Sequence, residues 1–110
     1  MQLWRFLPKP VMITFFFLFF FLEDPPKIRE LPQSSYTVNE TNNVTMVCYT
    51  EGIPRPIVTW QKASNDEIVG YGEVLTIANI TGSYDGKYTC TAENELGTDS
   101  KGITLHVQSK

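Results

Sequence analysis

The side chains able to do chemistry are few and scattered. His106 is the only histidine, and Cys48 and Cys90 are the only cysteines. A structural zinc site wants four nitrogen or sulfur ligands, and an activated nucleophile wants a base together with a group that orients it. This inventory supplies neither, and no second histidine or thiol can join His106. Beyond the adjacent Glu23-Asp24 at the end of the first apolar segment, carboxylates come close together at Asp66-Glu67 and at Glu93 with Glu95. None of these has the Asp-x-Asp-x-Asp-Gly frame of a calcium loop, and the adjacent Asp66 and Glu67 would point to opposite faces of a strand, so the Asp66-Glu67 and Glu93/Glu95 pairs read as surface charge. There is no Gly-rich phosphate loop, no nucleophile elbow around a serine and no histidine-containing triad. The expectation is a chain that is not an enzyme, with no catalytic residue, metal, cofactor or small-molecule substrate.

The asparagines offer a different chemistry. Asn39-Glu40-Thr41, Asn43-Val44-Thr45 and Asn79-Ile80-Thr81 each fit N-x-[ST] without proline in the middle, the acceptor pattern for an N-linked glycan in an exported protein. Asn39 and Asn43 lie close enough in sequence that crowding is expected between them.

The 110 residues suit one domain and are too few for two. At 42% hydrophobic and 19% charged, the chain has the composition of an ordinary packed protein. Its net charge of -3, with no run of Lys or Arg to follow a phosphate backbone, argues against nucleic-acid binding.

Composition is uneven along the chain. All 7 phenylalanines fall at or before Phe21, and Val11 to Leu22 is an apolar run broken only by Thr14, preceded by Arg5 and Lys9. Residues 1–23 therefore have the layout of a secretory signal peptide, and the run is short for a membrane span, which wants roughly 20 apolar residues. The large residues Phe20, Phe21, Leu22 and Glu23 stand where signal peptidase prefers small ones. A translated polypyrimidine tract would read the same way, since phenylalanine and leucine codons are pyrimidine-rich, so a true signal and a gene-model artefact stand as equal readings. Either way the folding unit is residues 24–110.

Within that unit, short alternating runs rich in Val, Ile, Thr and Tyr are separated by Gly, Pro, Asn and Asp clusters, which predicts an all-β domain. The predicted strands are Ser35–Val38, Val44–Thr50, Ile57–Lys62, Glu67–Val69, Val74–Asn79, Lys87–Glu93 and Thr98–Val107. About seven strands in a unit of this size suggest a sandwich. Gly52-Ile53-Pro54-Arg55-Pro56 cannot sit in a central strand, Ser64-Asn65-Asp66 offers Asx-type turns, and Asn94 to Gly97 can close a hairpin. If Cys48 points inward, so do Val44 and Met46; if Cys90 does, so do Tyr88 and Ala92. Trp60 brings Val58 with it, and Leu75, Ile77, Ile103, Leu105 and Val107 complete an apolar set.

The constellation Cys48, Trp60 and Tyr88-Thr89-Cys90 resembles the immunoglobulin superfamily. Gly52 to Pro56, Leu75-Thr76-Ile77 with Ile80 in strand E, and Ala92 to Gly97 resemble its I-set branch. The stretch between Trp60 and Leu75 resembles the middle domains of neurotrimin-type (IgLON) adhesion proteins. The resemblance implies an immunoglobulin-like two-sheet Greek-key sandwich, a Cys48 to Cys90 disulfide packed on Trp60, and a corner hydrogen bond from Tyr88. The pattern Asp-x-Gly-x-Tyr-x-Cys is broken, because its first place is Tyr84 and the acid has moved to Asp85. That puts the family's usual ion pair in doubt.

A disulfide points to an oxidising compartment, and the three sequons point the same way; reduced buried thiols, as in muscle I-set modules, are the other reading. In such a sandwich the three asparagines gather at one end. The outward positions Thr59, Gln61, Thr89, Thr91, Glu93, Thr104 and His106 form a face without a sequon. It reads either as a solvated β-face or as a contact sheet for another immunoglobulin domain. The expected function is extracellular binding in cell adhesion or cell-surface recognition, with immunoglobulin-like domains or other cell-surface proteins as partners. A growth-factor-receptor ectodomain, a secreted decoy and a muscle-type structural module are the alternatives. The chain stops just after the last predicted strand, so a fragment of a larger protein is expected, its anchor or neighbouring domains lying outside it.

Overall fold

The computed structural model describes residues 22–109. Nearly all of the segment read as a signal therefore lies outside the described residues. Nine strands follow in order: β1 Asp24–Ile28, β2 Ser35–Asn39, β3 Val44–Val47, β4 Thr50–Ile53, β5 Ile57–Lys62, β6 Ile68–Tyr71, β7 Val74–Ile77, β8 Gly86–Asn94 and β9 Gly97–Gln108. The 3-10 turn Gly82–Tyr84 precedes β8. One layer is a five-stranded sheet in the order β2-β9-β8-β5-β6; the other consists of the ladders β1-β4 and β3-β7. This is the two-sheet Greek-key sandwich that the alternation and the resemblance predict.

The alternation is obeyed closely. Val44, Met46, Cys48, Val58, Trp60, Leu75, Ile77, Tyr88, Cys90, Ala92, Ile103 and Leu105 are all buried, and Val107 packs partly buried against them. The period of two makes this self-consistent, since a slip of one residue in any strand would expose its whole apolar set.

Several boundaries differ from expectation. β1 is not among the predicted strands, because Pro25 and Pro26 disfavour a strand; the pair is tolerated since the β1 ladder with β4 is irregular between Asp24 and Lys27. Ile28, between Lys27 and Arg29, is buried, and its N–H donates to the Asp99 carboxylate at 2.7 Å. The expected single strand Val44–Thr50 divides into β3 and β4 because the chain changes partner at Cys48-Tyr49, from β7 to β1. The N–H of Cys48 donates to the Glu73 carbonyl and that of Arg29 to the Tyr49 carbonyl, so hydrogen bonding continues across the break. Gly52 and Ile53, read as turn, are the end of β4; they fit there because β4 pairs only with the short β1 and the turn begins at Pro54. β6 lies further along than Glu67–Val69. Its Gly70 is opposite Trp60, and a Cβ there would come within 2.5 Å of the Leu75 side chain. β7 ends at Ile77 rather than Asn79, because Asn79 takes a left-handed conformation (φ 52°) that turns Ile80 into the core outside the strand.

The predicted turns are built as their residues suggest. Asn65 Oδ1 accepts the Glu67 N–H at 3.0 Å, closing an Asx turn, and Asn94 Oδ1 accepts the Leu96 N–H at 2.8 Å in the β8–β9 hairpin.

Candidate functional site

The centre of the molecule is built from residues on three strands. Cys48 follows β3, Cys90 is on β8, and they form a disulfide between the two layers with Cα atoms 6.6 Å apart. Trp60 on β5 is directly across the ladder from Cys90 and is 0% exposed. Its indole N–H donates to the Gly72 carbonyl at 2.7 Å, which satisfies its one polar atom inside an apolar surround. Leu75 is buried on β7 in the opposing layer.

Tyr88 is 0% exposed, and its hydroxyl donates to the Tyr84 carbonyl at 2.6 Å, tying β8 to the 3-10 turn before it. Burial raises the Tyr88 pKa, and Tyr84 and Asp85 push in the same direction. The phenol is thus held in the form that can donate. Because the folded value is raised, this contribution to stability is fully present below the ordinary phenol value of 10.0 and is lost as pH climbs through the folded value. Tyr88→Phe is expected to cost about 1 kcal/mol at neutral pH. In urea titrations run on both sides of pH 10, its stability should fall less than that of the parent; an identical alkaline decline in the two proteins would count against this role.

The displaced acid has another use. Asp85 accepts the Val107 N–H at 2.8 Å, while the ion pairs among the described residues are Arg29–Glu51 and Arg55–Glu73. Asp85 therefore holds the last strand to the corner instead of pairing with a base.

The seven outward residues named from the sequence do share the outer side of the five-stranded sheet. Thr59 pairs with Thr91 and Gln61 with Thr89, while Glu93 pairs with Thr98 and with Ile57. Thr104 pairs with Lys87, and His106 lies beside Thr37 of β2. Two features of this face were not legible earlier. First, it carries exposed apolar side chains: Ile57 at 68%, Tyr71 at 66% and Ile68 at 49% exposure. Tyr71 is opposite Thr59 and Ile68 opposite Gln61. The alternation of β5 reveals Ile57, which shares parity with Thr59; Tyr71 falls beyond the expected strand Glu67–Val69, and the pairing of Ile68 with Gln61 depends on the irregular register after Trp60.

Second, the expectation of a face without a sequon is corrected. β2 joins this same sheet in parallel to β9, with Asn39 beside Gln108, and Asn39 is exposed while Val38 is buried. One sequon thus stands at the corner of the face near His106. Asn43 and Asn79 meet at the same end of the molecule, where the Asn79 N–H donates to Asn43 Oδ1 at 3.0 Å. The Thr41 N–H donates to the Ile80 carbonyl, and the Ile80 N–H to the Asn42 carbonyl. Asn39 ends β2 and Asn43 precedes β3, and the Asn42 N–H donates to the Asn39 carbonyl at 3.2 Å, so the two flank one tight turn that joins the sheets. Among the described residues no three of His, Cys, Asp and Glu gather where they could hold a metal ion.

Two stacked sheets joined by a disulfide beside a buried indole, with a tyrosine tied across a corner, define an immunoglobulin-type sandwich. A family model described as immunoglobulin domain matches residues 25–94, and the chain belongs to that family. It is 40% identical over 93 residues to the limbic system-associated membrane protein of Gallus gallus, covering 82% of this chain and 27% of the relative. Against neuroglian of Drosophila melanogaster it is 42% identical over 79 residues, covering 67% of this chain and 6% of that protein. The chain thus spans about a quarter, or less, of the length of these curated relatives. Among solved structures, Dpr2 Ig1-Ig2 in complex with DIP-Theta Ig1-Ig3 aligns with a TM-score of 0.69 and 32% identity, over 77% of this chain and 32% of that one. Sidekick-1 immunoglobulin domains 1-5 align with a TM-score of 0.72 at 23% identity, over 80% and 20% of the two chains, a likeness of fold alone.

Proposed function

We propose that this chain is an extracellular binding module of a cell adhesion or cell-surface recognition protein. Residues 24–110 form the module, and it docks another immunoglobulin-type domain on the outer face of its five-stranded sheet. The observation that carries this reading is the exposure of Ile57, Ile68 and Tyr71 together on that face, interleaved with Thr59, Gln61, Thr89 and Thr91. A sheet that only met water would place polar side chains there, whereas a contact patch combines aromatic and aliphatic anchors with a polar surround. The relatives support it: one is named as a membrane protein, and a similar solved structure is a complex between immunoglobulin-type chains. The Cys48–Cys90 disulfide supports an oxidising compartment over a muscle-type cytosolic scaffold. The module acts by binding rather than by catalysis.

The secreted chain, multimerised on beads, is to be offered to a panel of immunoglobulin-domain ectodomains that includes itself. Tyr71→Ala is expected to weaken the captured interaction by roughly ten-fold, about 1.4 kcal/mol, without changing thermal stability. Ile57→Asn, which completes an Asn-Val-Thr triplet with Thr59, should abolish it by placing a glycan on the face. Binding that survives both changes, or a panel without a single binder, would sink the assignment.

A further inference from the structure

From the position of Asn39 we infer that it carries an N-linked glycan that covers the β2–β9 corner of the five-stranded face, and that glycans on Asn43 and Asn79 extend this cover around the same end. Docking is thereby confined to the half of the face formed by β5, β6 and the far end of β8. The inference rests on the extracellular reading above and adds to it which part of the face is available.

The geometry behind it is specific. Asn39 is the last residue of β2, exposed and paired with Gln108, one same-face step from the pair Thr37 and His106, so a substituent on its amide nitrogen leaves the sheet beside His106. Asn43 accepts the Asn79 N–H through Oδ1. A glycan is attached through the amide nitrogen and leaves that carbonyl oxygen in place, so modification of Asn43 preserves the bond that joins the β2–β3 turn to the corner before β8. Asn79 is exposed in a left-handed turn, with its N–H and the buried Ile80 facing the protein. No acceptor must leave the core to be modified, and the three depart from separate elements. Glycans are bulky and strongly hydrated, and they oppose close protein contact wherever they project. Ile57, Tyr71 and Glu93 lie toward the opposite end of the same face, where Asn94 Nδ2 donates to the carbonyls of Asp24 and Pro54 and no sequon falls.

The full chain is to be secreted from mammalian cells, treated with peptide N-glycosidase in heavy-oxygen water, and mapped by peptide mass. Conversion of Asn39 to heavy-labelled aspartate is the expected result, with Asn43 and Asn79 converted as well. The cover itself is tested on His106→Cys and Glu93→Cys variants labelled with a bulky maleimide-polymer: enzymatic removal of the glycans should speed labelling of the first several-fold and leave the second unchanged. An unmodified Asn39 in secreted, disulfide-bonded protein, or equal labelling rates before and after deglycosylation, overturns the inference and leaves the extracellular reading standing. A chain that stays inside the cell with two free thiols overturns both.

Discussion

Removing the Cys48–Cys90 bridge, by reduction or as Cys48→Ala/Cys90→Ala, is expected to cost about 4 kcal/mol. The estimate follows from the sequence separation of 42 residues, because closing a loop of that length restricts the unfolded chain far more than the folded one. A domain of this size has a net stability of only about 5–15 kcal/mol, so the loss is a large part of the whole. Both cysteines are 0% exposed, and reductant should reach them slowly until the sandwich opens. Urea unfolding with and without a phosphine reductant measures the first effect, and mass-resolved alkylation in rising urea measures the second. Rapid alkylation of both thiols in native protein would contradict the cross-linked core and weaken the case for export with it.

Trp60→Ala is the second large effect, expected at about 3–5 kcal/mol. Two losses combine. The indole is wholly buried between the layers, so its removal leaves a cavity that close-packed neighbours fill only in part. The Gly72 carbonyl also loses its donor at the point where β6 turns into β7. Trp60→Phe separates the terms, since it keeps much of the apolar volume and removes only the N–H; it should cost clearly less than Trp60→Ala. If the alanine variant proves too unstable to purify, the phenylalanine variant alone still tests the model through its unfolding midpoint. An unchanged midpoint in either protein would show that the core does not depend on the indole. Together with the disulfide, this sets an order of importance in which the cross-strand centre outweighs the corner bond of Tyr88.

The contrast between what could be read early and what could not follows the range of the interactions. Val44, Met46 and Cys48 declare their direction within one strand, as do Tyr88, Cys90 and Ala92, since a side chain's face depends on a period of two that local sequence records. The hairpin at Asn94 to Gly97 and the Asx turn at Asn65 are equally local, set by residues that hydrogen-bond to their own backbone. Ile28 and Ile80 were harder, for different reasons. Charges and prolines around Ile28 hide a burial created by β4 and Asp99 from far along the chain. The burial of Ile80 comes from a left-handed turn at Asn79, where the strand pattern points straight on.

The candidate site divides the same way. The sequence by itself determined the all-β class, the inward residue set, the Cys-Trp-Tyr-Cys signature, the seven outward polar positions and the three N-x-T triplets, because each is a matter of residue type and short-range spacing. Only the tertiary structure decided which strands neighbour one another. It placed Ile68 and Tyr71 beside Thr59 and Gln61, moved β2 and its Asn39 onto the corner of the five-stranded sheet's outer face, and gave Asp85 a backbone amide of β9 instead of an ion pair. Strand pairing is settled by the packing of both layers at once, and residues distant in sequence become neighbours only through that packing.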